Sequence, residues 1–267
     1  MREIINFNDN WHFWKNVSDV NINDGGESIT LPHTWNGVDG QDGGNDYFRG
    51  TCLYKKVFHS DDLPKADKYY LEINGANSSA DVYINGKRLA HHDGGYSTWR
   101  VNITGYMRGE NIISILVDNA ANEEVYPQVA DFTFYGGIYR DVNIICVKET
   151  HFDLDYYGSK GLMITPKVEE NKAVIKLDAY VNNLHSGDVI DYRIYDAEGN
   201  LVCENKTAET NCNLIIDNVH LWNGTIDPYL YTAKAEIVRD DIVIDEVSSR
   251  FGCRTFRIDS ENGFILN

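Results

Sequence analysis

Apolar and polar residues alternate along much of this chain with a period of two. Tyr69-Tyr70-Leu71-Glu72-Ile73, Ala80-Asp81-Val82-Tyr83-Ile84, Asn111-Ile112-Ile113-Ser114-Ile115-Leu116-Val117 and Ala173 to Val181 alternate or run apolar. They are rich in β-branched and aromatic side chains, the composition that fits a pleated, half-buried surface. Turn signals separate such segments: Asn85-Gly86, Asp93-Gly94-Gly95, Glu198-Gly199-Asn200 and Asn223-Gly224. Asn85-Gly86 predicts a type I′ hairpin, because both central residues of that turn need positive φ. No long stretch sustains a helical period, so an all-β architecture of sandwiches is expected.

A boundary falls near residue 150. The half before it is rich in glycine and loops and suits a jelly roll over residues 1–149. The half after it has shorter loops and about seven strand-like segments, which suits an immunoglobulin-like β-sandwich over 150–257, without the Cys…Trp…Cys pattern of antibody domains. Residues 258–267 read as the start of a linker. With 267 residues, two domains can each bury a core of ordinary size. The aromatic fraction of 12%, including 17 Tyr, argues against disorder.

Charge and cysteine usage narrow the function classes. A net charge of −17 speaks against nucleic acid, whose binding draws on clustered Lys and Arg, and against an anionic membrane surface. No window has the apolar length of a membrane helix. The segment from Met1 to Phe7 does not run into an apolar core of the signal-peptide kind, so a cytoplasmic protein is expected. Cys52, Cys146, Cys203, Cys212 and Cys253 are an odd number without C-x-x-C spacing, and they suggest neither a zinc site nor a disulfide framework. Cys52, Cys146 and Cys253 sit in strand-like surroundings as small core hydrophobes. The histidines, His91-His92 among them, have no metal spacing. No metal and no cofactor is predicted.

Several motifs stand in a telling order. Trp11 and Leu31-Pro32-His33-Thr34-Trp35-Asn36 come first, then Asp46-Tyr47-Phe48-Arg49-Gly50 leading into Tyr54-Lys55-Lys56. Ile73-Asn74-Gly75-Ala76, Asp81 to Lys87, Gly94-Gly95-Tyr96 and Asn111 to Asn119 follow. The most specific is Asp131-Phe132-Thr133-Phe134-Tyr135-Gly136-Gly137-Ile138-Tyr139-Arg140-Asp141-Val142. Leu221-Trp222, Asp227-Pro228-Tyr229-Leu230-Tyr231, Phe251 to Arg254 and Gly263 to Asn267 complete the series. Together they resemble family 2 glycoside hydrolases, the β-galactosidase and β-glucuronidase group, over essentially the whole chain.

The resemblance implies a galactose-binding-like jelly roll followed by an immunoglobulin-like sandwich, the non-catalytic front part of a retaining exo-β-glycosidase. The two glutamates of a retaining mechanism, about 5 Å apart, would then stand on barrel strands outside this chain, and the chain alone is expected to be inactive. The Gly-Gly-Ile-Tyr-Arg form looks more like the β-galactosidase branch. The expected partner is a β-glycoside bound through the intact parent, with homo-oligomer contacts of that parent left open. The alternative from another class is a free-standing carbohydrate-binding or adhesion module.

No catalytic residue is assigned within the chain. Glu123-Glu124 and Glu169-Glu170 are neighbours that point to opposite faces on a strand and read as solvated surface. Asp131 read alone is a turn former that caps its own backbone; the resemblance instead makes it the aspartate that accepts hydrogen bonds from sugar hydroxyls at the barrel's mouth. The glycine-rich loop from Asp39 to Asp46 lacks the far glutamate of a calcium loop. It reads either as a solvated loop or as one reaching the active-site rim, with Asn45 or Asp46 as the substrate contact. Arg140 and Asp141 read as a structural ion pair, Gly136-Gly137 as a bulge or close backbone approach, and Trp35 and Trp222 as packing residues.

Overall fold

The computed structural model describes residues 1–39, 48–126 and 133–267. Among them there is no α-helix, only strands and two short 3-10 turns, as the period-two patterning predicts. The chain divides into two compact units, Glu3–Cys146 and Val147–Asn267, the latter also holding Met1–Arg2.

The first unit contains β1 (Glu3–Asn6), β2 (Trp11–Trp14), β3 (Glu27–Ile29), β4 (Thr51–His59), β5 (Lys68–Ile73), β6 (Ser79–Ile84), β7 (Lys87–Asp93), β8 (Trp99–Asn102), β9 (Glu110–Asp118) and β10 (Val142–Val147). They form a six-stranded sheet in the order β3-β2-β4-β9-β6-β7 and a four-stranded sheet in the order β1-β10-β5-β8, the two layers of the jelly roll. Alternation decides which face is buried. Ala80, Val82 and Ile84 of β6 and Ile113, Ile115 and Val117 of β9 join the core, while Ser79, Asp81 and Ser114 take the opposite face. Each such buried Val or Ile contributes roughly 1.5–3 kcal/mol of transfer free energy.

The inward position of Lys56 breaks the pattern and is resolved locally. Its Nζ donates to the carbonyls of Phe7 (3.2 Å) and Asp9 (2.6 Å) and stands 3.8 Å from the Phe7 ring centroid. Burial lowers its pKa from the ordinary lysine value. At Asn85-Gly86 both φ angles are positive, +51° and +81°, so the β6–β7 hairpin turns as its dipeptide predicts.

The second unit contains β11 (His151–Phe152), β12 (Leu162–Glu169), β13 (Lys172–Ala179), β14 (Val181–Asn182), β15 (Val189–Tyr195), β16 (Leu201–Thr207), β17 (Asn211–Asp217), β18 (Tyr231–Arg239), β19 (Ile242–Phe251), β20 (Phe256–Asp259) and β21 (Gly263–Leu266). Sheets β12-β13-β17 and β16-β15-β18-β19 form the immunoglobulin-like sandwich. Its core takes every second residue: Ala173, Ile175 and Leu177 from β13, Ile190, Tyr192 and Ile194 from β15, Ala233, Ala235 and Ile237 from β18. β20 and β21 pair as a terminal hairpin. Cys52, Cys146 and Cys253 are buried free thiols, and burial pushes the pKa of each up to about 11, so they behave as hydrophobes.

Candidate functional site

The three residues expected to contact substrate, Asn45, Asp46 and Asp131, lie outside the described residues. What the structure places is the ground on which their segments stand. β4 begins directly after Arg49-Gly50 and β9 ends directly before Asn119, and Thr51 pairs with Asp118 in the ladder. The chain leaving residue 39, returning at 48 and passing 133–137 therefore meets one end of the six-stranded sheet.

Two buried amides tie these strands of chain together. Asn36, fully buried, donates from Nδ2 to Asp39 Oδ2 (2.5 Å) and to the Phe48 carbonyl (2.9 Å). Its Oδ1 accepts from the Gly136 N–H (2.7 Å) and from Asn119 Nδ2 (3.2 Å). Asn119, 1% exposed, accepts from the Gly50 N–H at Oδ1 (2.9 Å) and directs Nδ2 toward the Phe48 and Phe134 carbonyls (3.4 and 3.3 Å). Asp39 Oδ2 also accepts from the Phe48 N–H (3.1 Å), joining residues 39 and 48 directly. Arg49 Nε donates to the Asn119 carbonyl (2.8 Å), and its guanidinium stands 5.5 Å from the Phe134 ring centroid.

Aromatic packing and the glycine pair close the knot. A Cβ on Gly136 would lie 2.1 Å from Trp35 Cζ2, and one on Gly137, whose φ is +123°, would lie 2.5 Å from the His33 carbonyl oxygen. Close backbone approach is the reason for Gly136-Gly137. The His33 N–H donates to the Ile138 carbonyl (2.8 Å), and His33 Nδ1 shares a hydrogen bond with the Tyr54 hydroxyl (2.8 Å). Burial lowers the His33 pKa and raises that of Tyr54 well above its ordinary value, which keeps both neutral. The knot contains no paired acid and base; Asp39 is committed to Asn36 and Phe48. Its chemistry is positional.

Arg140 and Asp141 do not pair with each other, contrary to expectation. Arg140 Nη1 donates to the Tyr96 carbonyl (2.9 Å), and Asp141 Oδ1 accepts from Asn8 Nδ2 (2.8 Å). Arg140 lies in a bend just before β10, and each side chain has its own partner. Asn36 and Asn119 were not singled out from the sequence. Both stand inside motifs, but an amide beside a strand end reads locally as a turn former, and only its burial reveals the clamp.

Two family models match the chain: the galactose-binding domain-like model of glycosyl hydrolase 2 over residues 47–147, and glycosyl hydrolases family 2 over 160–254. A putative β-glucuronidase of Formosa agariphila is 36% identical over 98% of this chain, which spans 32% of that protein. The crystal structure of an FMN-binding β-glucuronidase from Facaelibacterium prausnitzii superposes with a TM-score of 0.91 at 36% identity, covering 100% of this chain and 42% of that one. That of a putative β-galactosidase from Bacteroides fragilis gives 0.85 at 30% identity, covering 100% and 43%. The fold and these matches define a glycosidase-associated pair of β-domains. The chain belongs to glycosyl hydrolase family 2 and carries the family's amino-terminal galactose-binding-like and immunoglobulin-like domains. It spans between about a third and two fifths of the length of these relatives.

Proposed function

We propose that this chain is the non-catalytic front part of a retaining exo-β-glycosidase and that it shapes the substrate pocket with the segments 40–47 and 127–132. The observation that carries the reading is the Asn36–Asn119 knot. It joins Asp39, Phe48 and Phe134, residues that flank the segments holding Asn45, Asp46 and Asp131. A carboxylate and an amide held on such roots supply acceptors and donors for sugar hydroxyls, and prior positioning is what makes such contacts effective in a transition state.

For the substrate, the signature Gly136-Gly137-Ile138-Tyr139-Arg140 pointed to galactosides. Two relatives at 36% identity are named β-glucuronidase, above a neighbour named putative β-galactosidase at 30%, and we take a glucuronide as the leading substrate. The full-length enzyme containing this chain should hydrolyse nitrophenyl β-glucuronide faster than the β-galactoside; the reverse order would restore the galactoside, and hydrolysis of neither would overturn the glycosidase reading. The 267-residue chain alone should turn over neither substrate. In the full-length enzyme Asp131→Ala should lower kcat/KM by about 2–4 kcal/mol, roughly thirtyfold to a thousandfold. Glu123→Ala is the control, and full activity of a folded Asp131→Ala enzyme would make Asp131 a turn former.

A further inference from the structure

Asparagine followed by glycine is the pair most open to self-modification, because glycine has no Cβ to shield its amide nitrogen from the preceding side chain. The chain holds five such pairs: Asn36-Gly37, Asn74-Gly75, Asn85-Gly86, Asn223-Gly224 and Asn262-Gly263. Four are restrained. Asn36 is buried in the knot with Nδ2 and Oδ1 both bonded. Asn74 Oδ1 accepts from Thr98 (3.2 Å), and Gly75 is buried against Tyr139 and Arg140. Asn85 Nδ2 donates to the Tyr106 carbonyl (3.0 Å) and to Asn111 Oδ1 (3.1 Å), while its Oδ1 accepts from the Ile112 N–H (3.0 Å). Asn262 Nδ2 donates to Asp259 Oδ1 (3.0 Å), and Gly263 pairs with Asp259 in the terminal hairpin.

Asn223-Gly224, in the stretch leading to β18, differs. The Asn223 N–H donates to the Asp227 carbonyl (2.7 Å), and the Asn223 carbonyl accepts from the N–H groups of Ile226 and Asp227 (3.3 Å each). The side chain is exposed, and among the described residues neither its amide nor the Gly224 N–H has a hydrogen-bond partner. Gly224 stands at φ +61°, with nothing within 4 Å of where a Cβ would lie. Electrophile and nucleophile are therefore both unengaged. The neighbouring Trp222 holds the end of the chain: its N–H donates to the Cys253 carbonyl (2.8 Å), and its carbonyl accepts from Asn267 Nδ2 (3.0 Å). Residue 223 thus adjoins the bonds that seat the terminal hairpin.

We propose that Asn223 is a modification site at which the chain converts its own side-chain amide to aspartate and isoaspartate. The Gly224 nitrogen gives its proton to a solvent base and attacks Asn223 Cγ. The bond from Cγ to the amide nitrogen breaks, ammonia leaves, and a succinimide ring is closed. Water then opens the ring: at Cγ it restores the normal backbone with an aspartate, and at the backbone carbonyl it leaves an isoaspartate whose chain runs through Cβ and Cγ. Water enters, ammonia leaves, and nothing is oxidised or reduced. The isoaspartyl form lengthens the backbone between Trp222 and Gly224, which shifts the bonds of residue 223 to Asp227 and loosens the Trp222 seat of the hairpin. Its new α-carboxylate is an acceptor for enzymes that methylate isoaspartyl groups with S-adenosylmethionine.

The test is peptide mapping by mass spectrometry of the 267-residue chain held warm at mildly alkaline pH, in buffer and in concentrated guanidinium chloride. In the folded chain Asn223 should convert first, several times faster than Asn262, with Asn36, Asn74 and Asn85 left as amides. In denaturant, where the restraints are gone, all five should convert at similar rates. The folded rate at Asn223 should rise with pH, since the attacking nitrogen is deprotonated, and Gly224→Ala should slow it severalfold by shielding that nitrogen. Hydrogen exchange at Trp222 and Asp227 should quicken in the isoaspartyl chain, and an isoaspartyl carboxyl methyltransferase should label residue 223. Conversion of another of the five ahead of Asn223 in the folded chain, or an Asn223 amide that persists there and is lost only in denaturant, would overturn the proposal.

Discussion

Replacing Asn119 by Ala tests whether the knot is a mechanical part of the first domain. The side chain is 1% exposed and holds four hydrogen bonds. Two of its partners keep other contacts: Asn36 Oδ1 still accepts from Gly136 N–H, and the Phe48 carbonyl still accepts from Asn36 Nδ2. The Gly50 N–H, half-buried, loses the acceptor at 2.9 Å, and stranding a donor shielded from water costs about 1–3 kcal/mol. The three bonds made by Nδ2 are longer, so each adds less. The expected loss is about 2–4 kcal/mol by urea denaturation, with faster hydrogen exchange at the Gly50 amide. Asn119→Asp sharpens the test, because it preserves shape and the acceptor for Gly50 but turns a carboxylate toward Asn36 Oδ1 and two carbonyls. Its folded pKa must then rise above the usual ~3.9, so its penalty grows as pH rises past that value and shrinks in acid. A loss below about 0.5 kcal/mol for Asn119→Ala, the size of an ordinary surface change, would refute the reasoning. So would an Asn119→Asp penalty no larger at pH 7 than at pH 4.5.

Gly137→Ala should destabilise the first domain by about 2 kcal/mol or more, since φ is +123° and the new Cβ would meet the His33 carbonyl oxygen at 2.5 Å. Gly105→Ala, where nothing lies within 4 Å, should stay within about 0.5 kcal/mol in the same melts. In the second domain Asp188 accepts from Arg239 Nε (2.6 Å) and Nη2 (2.8 Å) and from the His185 N–H (2.8 Å). The Arg239 guanidinium above all, with the His185 amide, holds its carboxyl below the usual carboxylate range. A depressed folded pKa contributes stability that is present above about pH 4 and is lost as pH falls through the folded value. Asp188→Asn should therefore flatten the acid limb of the stability profile, and an unchanged limb would count against this pairing.

The sequence by itself determined the all-β class, the two sandwiches and much of what lies inside them. Strand patterning is local: a side chain at i and one at i+2 share a face whatever the rest of the chain does, so Ala173, Ile175 and Leu177 declare their burial. Turn chemistry is local too. Asn85-Gly86 needs positive φ at two positions, and those residues tolerate it. The family motifs were also legible in order, and several of them hold the residues that form the knot.

Tertiary structure alone decided which polar side chains work together. Asn36 and Asn119 are 83 positions apart, and nothing near either one reveals that they share a hydrogen bond in a dry interior. Arg140 and Asp141 show the converse, since adjacency in sequence suggested a pair, whereas Arg140 bonds the Tyr96 carbonyl and Asp141 accepts from Asn8. Ladder register likewise set Thr51, Asp118, Ser79 and Asp93 in one row of the six-stranded sheet. Register is a relation between strands, set by hydrogen bonds across the sheet and by the packing of the opposite face, and so it is carried by no single segment of the chain.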